Sequence, residues 1–198
     1  AGTYSVSGKV EDGQIIVDAG KEDKVYLILN GADINCSNSA PIYVKNAKKA
    51  IISLAEGTEN NITDGETYVF EDESSNDPNA AIFSKDDMTI IGSGKLTVNA
   101  NYNNGIASND DLKIQSGNII VNAKNNGIKG KNVTDGNITI NSKGDGMKAD
   151  NTTDDSKGYI YIEGGKININ SEQDGIQAET ELLVADGYIT IKTGGGSE

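Results

Sequence analysis

Residues 104–123 read NGIASNDDLKIQSGNIIVNA and contain three short apolar segments separated by Gly, Asn, Ser and Asp. The segments are Asn104–Ser108, Leu112–Ile114 and Gly117–Ala123. Each has the period-two alternation of a β-strand, and the small polar residues between them favour tight corners. This stretch therefore predicts three consecutive short strands.

The same order recurs along the chain, and each recurrence is marked by a small residue followed by an apolar one. The marker dipeptides are Ala81-Ile82, Gly105-Ile106, Gly127-Ile128, Gly146-Met147 and Gly175-Ile176. Their apolar members are separated by 24, 22, 19 and 29 residues, which is typical of a solenoid repeat. No segment has a convincing helical period, and the chain has only 2 prolines. We therefore predict a right-handed parallel β-helix with 19 to 29 residues per coil and loops inserted at the corners.

Stacking the coils on these dipeptides aligns residues into columns. Two apolar columns should form the core, and they contain Leu96, Ile119, Ile138, Ile167 and Ile189, and Val98, Val121, Ile140, Ile169 and Ile191. A third column contains Asn99, Asn122, Asn141, Asn170 and finally Lys192. We interpret it as a hydrogen-bonded asparagine ladder at a turn, in preference to a sugar-binding row.

The chain of 198 residues is expected to form a single β-helix domain. Residues 1–24 repeat poorly and should cap the first coil, since exposed strand edges need protection. Residues 63–79 are polar and acidic and are expected to form a side loop. Residues 193–198 are Gly-rich and predict a flexible tail.

Composition excludes several functions. The formal net charge of −13 disfavours nucleic acid as a partner. The chain has no His and no Arg, and Cys36 is its single cysteine, so an imidazole base and an ordinary zinc site are absent. No apolar run could span a membrane. We expect a secreted or cell-surface protein whose export signal has been removed.

Carboxylates on neighbouring coils predict calcium, because stacked carboxylates repel unless a cation lies between them. Asp145 and Asp174 form one such pair. Asp150 and Glu179 form another, to which the insertion after Asp150 adds Asp154. The alternative is that Asp-Gly makes good turns and that these acids are simply solvated.

Between the two acidic clusters, an outward column carries Lys129, Lys148 and Gln177. Such a column could bind the carboxylates and hydroxyls of acidic sugars. Alternatively, Lys148 could pair on the surface with Asp145 or Asp150, an interaction worth about 0 to 1 kcal/mol. Two further outward residues, Tyr159 and Tyr161, could stack on sugar rings.

The runs Gly144–Asn151, Gly158–Ile160 and Asp174–Thr180 resemble the calcium-containing β-helix carbohydrate-binding proteins of clostridia and related bacteria. The resemblance is strongest from Ile82 to Gly196. It implies a pectate-lyase-like fold and binding of cellulose and acidic sugars at the cell surface.

We therefore expect non-catalytic binding of cellulose and polygalacturonate-type chains by a calcium-stabilised β-helix. The alternative is a calcium-dependent polysaccharide lyase. Lys148 would then be the base, although Asp145 and Asp150 beside it would favour its charged form unless calcium cancelled them.

Overall fold

A computed structural model describes residues 1–70, 74–130, 136–153 and 157–194. These residues form 20 β-strands and no helix. The strands pair in parallel with strands one coil away, as they do when a chain winds repeatedly in one sense. The prediction of a parallel β-helix is confirmed.

The strands line three faces, which the chain visits in the order C, A, B. Face C contains β2 (Ile15–Asp18), β4 (Ile42–Asn46), β7 (Ala80–Ser84), β10 (Asn104–Ser108), β13 (Ile128–Lys129), β15 (Met147–Ala149) and β18 (Ile176–Ala178). Face A contains β5 (Lys49–Leu54), β8 (Met88–Gly92) and β11 (Leu112–Ile114), and it is continued in later coils by a separate two-stranded sheet of β16 (Tyr159–Ile162) and β19 (Glu181–Val184). Face B contains β6 (Glu59–Asp64), β9 (Lys95–Ala100), β12 (Asn118–Ala123), β14 (Asn137–Ser142), β17 (Lys166–Ser171) and β20 (Tyr188–Thr193).

Two longer strands, β1 (Gly2–Val10) and β3 (Lys24–Cys36), turn from face A onto face B. The first half of β3 pairs with β5, and its second half pairs with β6. The segment expected to cap the helix, residues 1–24, thus contains β1 and β2, which pair in parallel with β3 and β4.

The register of face B reproduces the predicted columns, but in the last coil Ile191, which was expected in the core, is 45% exposed. Leu96, Ile119 and Ile138 are in register, and all are at most 1% exposed. In the asparagine column, Asn122 donates to Asn99 and Asn141 donates to Asn122, each at 2.9 Å. The amide ladder is therefore present.

The glycine of the marker dipeptide is required by close contact between coils. A Cβ atom on Gly127 would lie 2.7 Å from the carbonyl oxygen of Gly146 and would overlap the side chain of Ile140. Gly105 and Gly146 meet the next coil in the same way. The dipeptide therefore marks where one coil rests on the next.

The expected side loop covers part of face C. After β6 ends at Asp64, Tyr68 packs into a small second core that includes Tyr43 and Phe83. The Phe83 side chain points away from the main core, yet it is 0% exposed. The loop therefore closes the N-terminal half of face C and leaves its C-terminal half open.

The tail follows β20, and residues 195–198 lie outside the described residues. Among residues 1–70, 74–130, 136–153 and 157–194, no helix has the length and apolarity needed to cross a bilayer.

Candidate functional site

The open half of face C leads to a pocket at the corner between faces C and A. The pocket has a volume of about 290 Å³ and is lined by three lysines, Lys129, Lys148 and Lys157, together with Asp110 and Asp150. Lys129 and Lys148 lie there because β13 and β15 pair in register. The predicted lysine column and the predicted Asp150 therefore share one pocket.

All three lysines of the pocket are ion-paired. The Nζ atom of Lys148 lies 2.8 Å from Asp145, that of Lys129 lies 2.9 Å from Asp150, and that of Lys157 lies 3.1 Å from Asp110. The Asp145 side chain is only 3% exposed, so the Lys148 pair is not an ordinary surface pair. The pocket thus combines charged donors with acceptors.

The first predicted calcium pair, Asp145 and Asp174, is bonded differently from expectation. Asp145 Oδ2 accepts from Lys148, and its Oδ1 accepts from the backbone N–H of Asp174 at 3.0 Å. The backbone N–H of Asp145 donates in turn to Asn126 Oδ1. Each carboxylate oxygen of Asp145 thus has one donor, and the calcium prediction for this pair stays a prediction.

The second predicted group is only partly described. Asp150 pairs with Lys129, and Glu179 is exposed on the next coil, one residue beyond the paired Ala149 and Ala178. Asp154 lies outside the described residues. The calcium prediction at this corner therefore stays a prediction.

Sequence reasoning missed a third acidic group. Asp87, Asp110 and Asp111 place carboxylate oxygens within 4.8 Å of one another. Oxygens 2.3 to 2.6 Å from one calcium ion lie at most about 5 Å apart, so this donor set fits calcium. Burial, followed by repulsion from Asp111 and Asp110, raises the pKa of Asp87. The signal in the sequence was an Asp-Asp pair at equivalent positions of two successive coils.

The remaining predicted residues do not join the lysine pocket. Gln177 lies in register with Lys148, and its Oε1 atom is buried without a hydrogen-bond partner among the described residues. Tyr159 and Tyr161 lie on face A, where they line a separate cleft of about 240 Å³ with Glu181 and Leu183. The tyrosines could therefore stack on a ligand only at a different surface.

The fold and these surfaces define a parallel β-helix protein with polar surfaces lined by lysines and carboxylates. Residues 1–198 match the model of a family described as carbohydrate-binding domain-containing protein. The chain belongs to that family.

Two relatives are similar to the chain. It is 56% identical over 122 residues to a carbohydrate-binding domain-containing protein of Acetivibrio thermocellus, across 62% of this chain and 43% of the relative. The match thus spans less than half the length of that relative. A solved structure described as the polysaccharide lyase-like protein from C. thermocellum, gadolinium derivative, is 46% identical, with a TM-score of 0.86, and the alignment covers 98% of this chain and 82% of that one.

Proposed function

We propose that this protein binds plant cell-wall polysaccharide, including cellulose and polygalacturonate-type acidic chains, without cleaving it. The observation that carries the proposal is the match of the whole chain to a carbohydrate-binding family. A secreted or surface-attached location belongs to the proposal, because such polymers lie outside the cell.

The lysine pocket supports the proposal chemically. Its lining offers hydroxyl and amide groups from Ser108, Asn109 and Thr152 beside the ammoniums of Lys129 and Lys148. Such groups can donate to and accept from sugar hydroxyls and carboxylates. The tyrosine cleft on face A adds apolar ring faces for stacking.

Two features favour binding over catalysis. The chain has no His and no Arg, and the ammoniums of Lys129 and Lys148 donate to Asp150 and Asp145. A lysine that acts as a base needs a free amine lone pair facing the substrate. Neither Lys129 nor Lys148 offers one in this arrangement.

Calcium is part of the proposal. Asp87, Asp110 and Asp111 would hold it, since their oxygens are hard ligands at suitable spacing. The ion would offset the repulsion among these acids and fasten two successive coils together at the edge of the lysine pocket.

Sedimentation with insoluble cellulose and affinity electrophoresis in polygalacturonate, each with calcium or with EGTA, test the proposal. We expect retardation by polygalacturonate and co-sedimentation with cellulose. The proposed function would be overturned if the protein bound neither cellulose nor polygalacturonate in the presence of calcium.

A lyase is the second candidate, because a similar solved structure is described as polysaccharide lyase-like. A lyase would generate an unsaturated product that absorbs ultraviolet light from polygalacturonate, and Lys148→Ala would abolish it. We expect no such absorbance from the wild-type protein.

A further inference from the structure

A second, larger groove runs along the corner that follows face B. Its volume is about 650 Å³, against about 290 Å³ for the lysine pocket. Two parallel rows line it. The amide row is the end of the asparagine ladder, with Asn122, Asn141, Asn170 and Lys192. The charged row lies two residues later in each coil and contains Lys124, Lys143 and Glu172.

The amide row has unused hydrogen-bonding capacity. Each asparagine amide has two N–H donors and an oxygen with two lone pairs. In the ladder, Asn122 uses one N–H to reach Asn99 and accepts one bond from Asn141. One N–H donor and one lone pair of Asn122 are thus not used by the ladder, and neither is the second N–H donor of Asn141. Adjacent coils place them about 4.8 Å apart, in a row suited to the hydroxyls of an extended polymer.

The lysines of this groove differ from those of the lysine pocket in their pairing. Lys124, Lys143 and Lys192 are exposed, and none of them takes part in an ion pair among the described residues. In a chain with a formal net charge of −13, three unpaired ammoniums in one groove form a local cationic strip. The carboxylates that line the same groove, Glu66 and Glu172, are also exposed.

We infer that this groove is a second polysaccharide site, which takes an acidic chain lengthwise. The lysines contact the sugar carboxylates, and the amide row bonds the hydroxyls between them. The inference rests on the proposed function but assigns acidic-chain binding to a surface other than the lysine pocket. Lysines that lack a protein carboxylate are available to a ligand carboxylate, whereas Lys129 and Lys148 must first exchange a partner.

Polygalacturonate binding by the double variant Lys124→Ala/Lys143→Ala tests the groove. Loss of two ammonium–carboxylate contacts at about 4 Å in water predicts roughly thirtyfold weaker binding at low salt. The loss should shrink as salt screens the contacts. Glu172→Gln should strengthen binding, because it removes a repulsive carboxylate. Because these side chains are exposed, we expect each variant to remain folded, and thermal melting checks this.

The matched control is Lys24→Ala/Lys85→Ala, which removes the same charge from exposed lysines outside the groove. We expect it to weaken binding less than twofold. The inference about the groove would be overturned if the groove variant bound polygalacturonate as tightly as the wild type, or if the control lost as much affinity. Either result would leave the proposed function intact. If the wild-type protein does not bind polygalacturonate, both the inference about the groove and the acidic-sugar part of the proposed function are overturned.

Discussion

The ammonium of Lys148 lies 2.8 Å from Oδ2 of Asp145, and the Asp145 side chain is 3% exposed while that of Lys148 is 23% exposed. The pair therefore joins a buried acid to a partly exposed base. Removing the base leaves a buried carboxylate with one fewer donor, which costs about 1 to 3 kcal/mol. This exceeds the value of about 0 to 1 kcal/mol for a surface pair.

We predict that Lys148→Ala lowers the free energy of unfolding by about 1 to 3 kcal/mol, measured by urea denaturation. The double variant Lys148→Ala/Asp145→Asn should lose less, because it leaves no unpaired buried charge. Equal stability of Lys148→Ala and the wild type would contradict the burial argument.

Asp64 should make stability depend on pH. Burial raises the pKa of Asp64 despite hydrogen bonds from the Tyr68 hydroxyl and the backbone N–H groups of Asn101 and Tyr102. A raised pKa means that the folded state binds the proton more tightly, so this contribution is complete below about pH 3.9 and is lost as pH rises through the folded pKa. Unfolding of wild type and Asp64→Asn between pH 4 and 7 should show the wild type gaining relative stability toward acid.

Asp86 provides a control, because its pKa is shifted in the direction opposite to that of Asp64. Burial alone would raise its pKa, but hydrogen bonds from the Ala47 N–H and the Lys21 ammonium lower it. Its contribution is present above the unfolded pKa and is lost as pH falls through the folded pKa. Asp86→Asn should therefore cost more stability at pH 7 than at pH 4, and the same trend for both variants would refute the assignment.

Calcium should raise the melting temperature. Metal that binds only the folded state stabilises it by about 2.7 kcal/mol at a hundredfold excess over Kd. Asp87→Asn should remove this response to calcium and EGTA. Asp174→Asn and Glu179→Gln test the two pairs indicated by the sequence, and both should keep the response if Asp87, Asp110 and Asp111 hold the ion. If EGTA did not change the melting temperature of the wild type, this would count against any calcium site.

Gly127→Ala tests the contact between coils. The added methyl group would crowd the carbonyl oxygen of Gly146 and the Ile140 side chain, and overpacking of this kind costs about 1 to 3 kcal/mol. A 198-residue chain loses about 2 to 4 °C of melting temperature per kcal/mol. A melting temperature unchanged within 1 °C would show that the coils can separate at little cost.

Period and spacing were sufficient to predict the coils, because each column repeats the same residue type. Ile119 and Ile138 fall in register since both follow a Gly-Asn corner. The loop over Phe83 could not be predicted in the same way. Its packing depends on Tyr68, which stacks on Tyr102 with ring centroids 4.1 Å apart, and no repeat relates these two rings.

The candidate site was predicted in part. Lys129 and Lys148 were placed in one column correctly, but column position does not determine which carboxylate an ammonium reaches. Lys129 extends one coil onward to Asp150, whereas Lys148 turns back to Asp145 in its own coil. The rotamer of each lysine and the burial of each carboxylate determine which ion pair forms. The column alignment does not predict the groove beside Lys124 and Lys143, because the row that contains them changes to Glu172 in the next coil.

The asparagine ladder joins side chains 23 and then 19 residues apart, Asn99 to Asn122 and Asn122 to Asn141, at the same 2.9 Å. The distance between successive rungs therefore does not depend on the number of residues in the loops of each coil. Duplicating or deleting a whole coil would lengthen or shorten the ladder by about 4.8 Å and leave the other rungs unchanged. The number of coils therefore sets the length of the ladder and, with it, the length of the proposed groove.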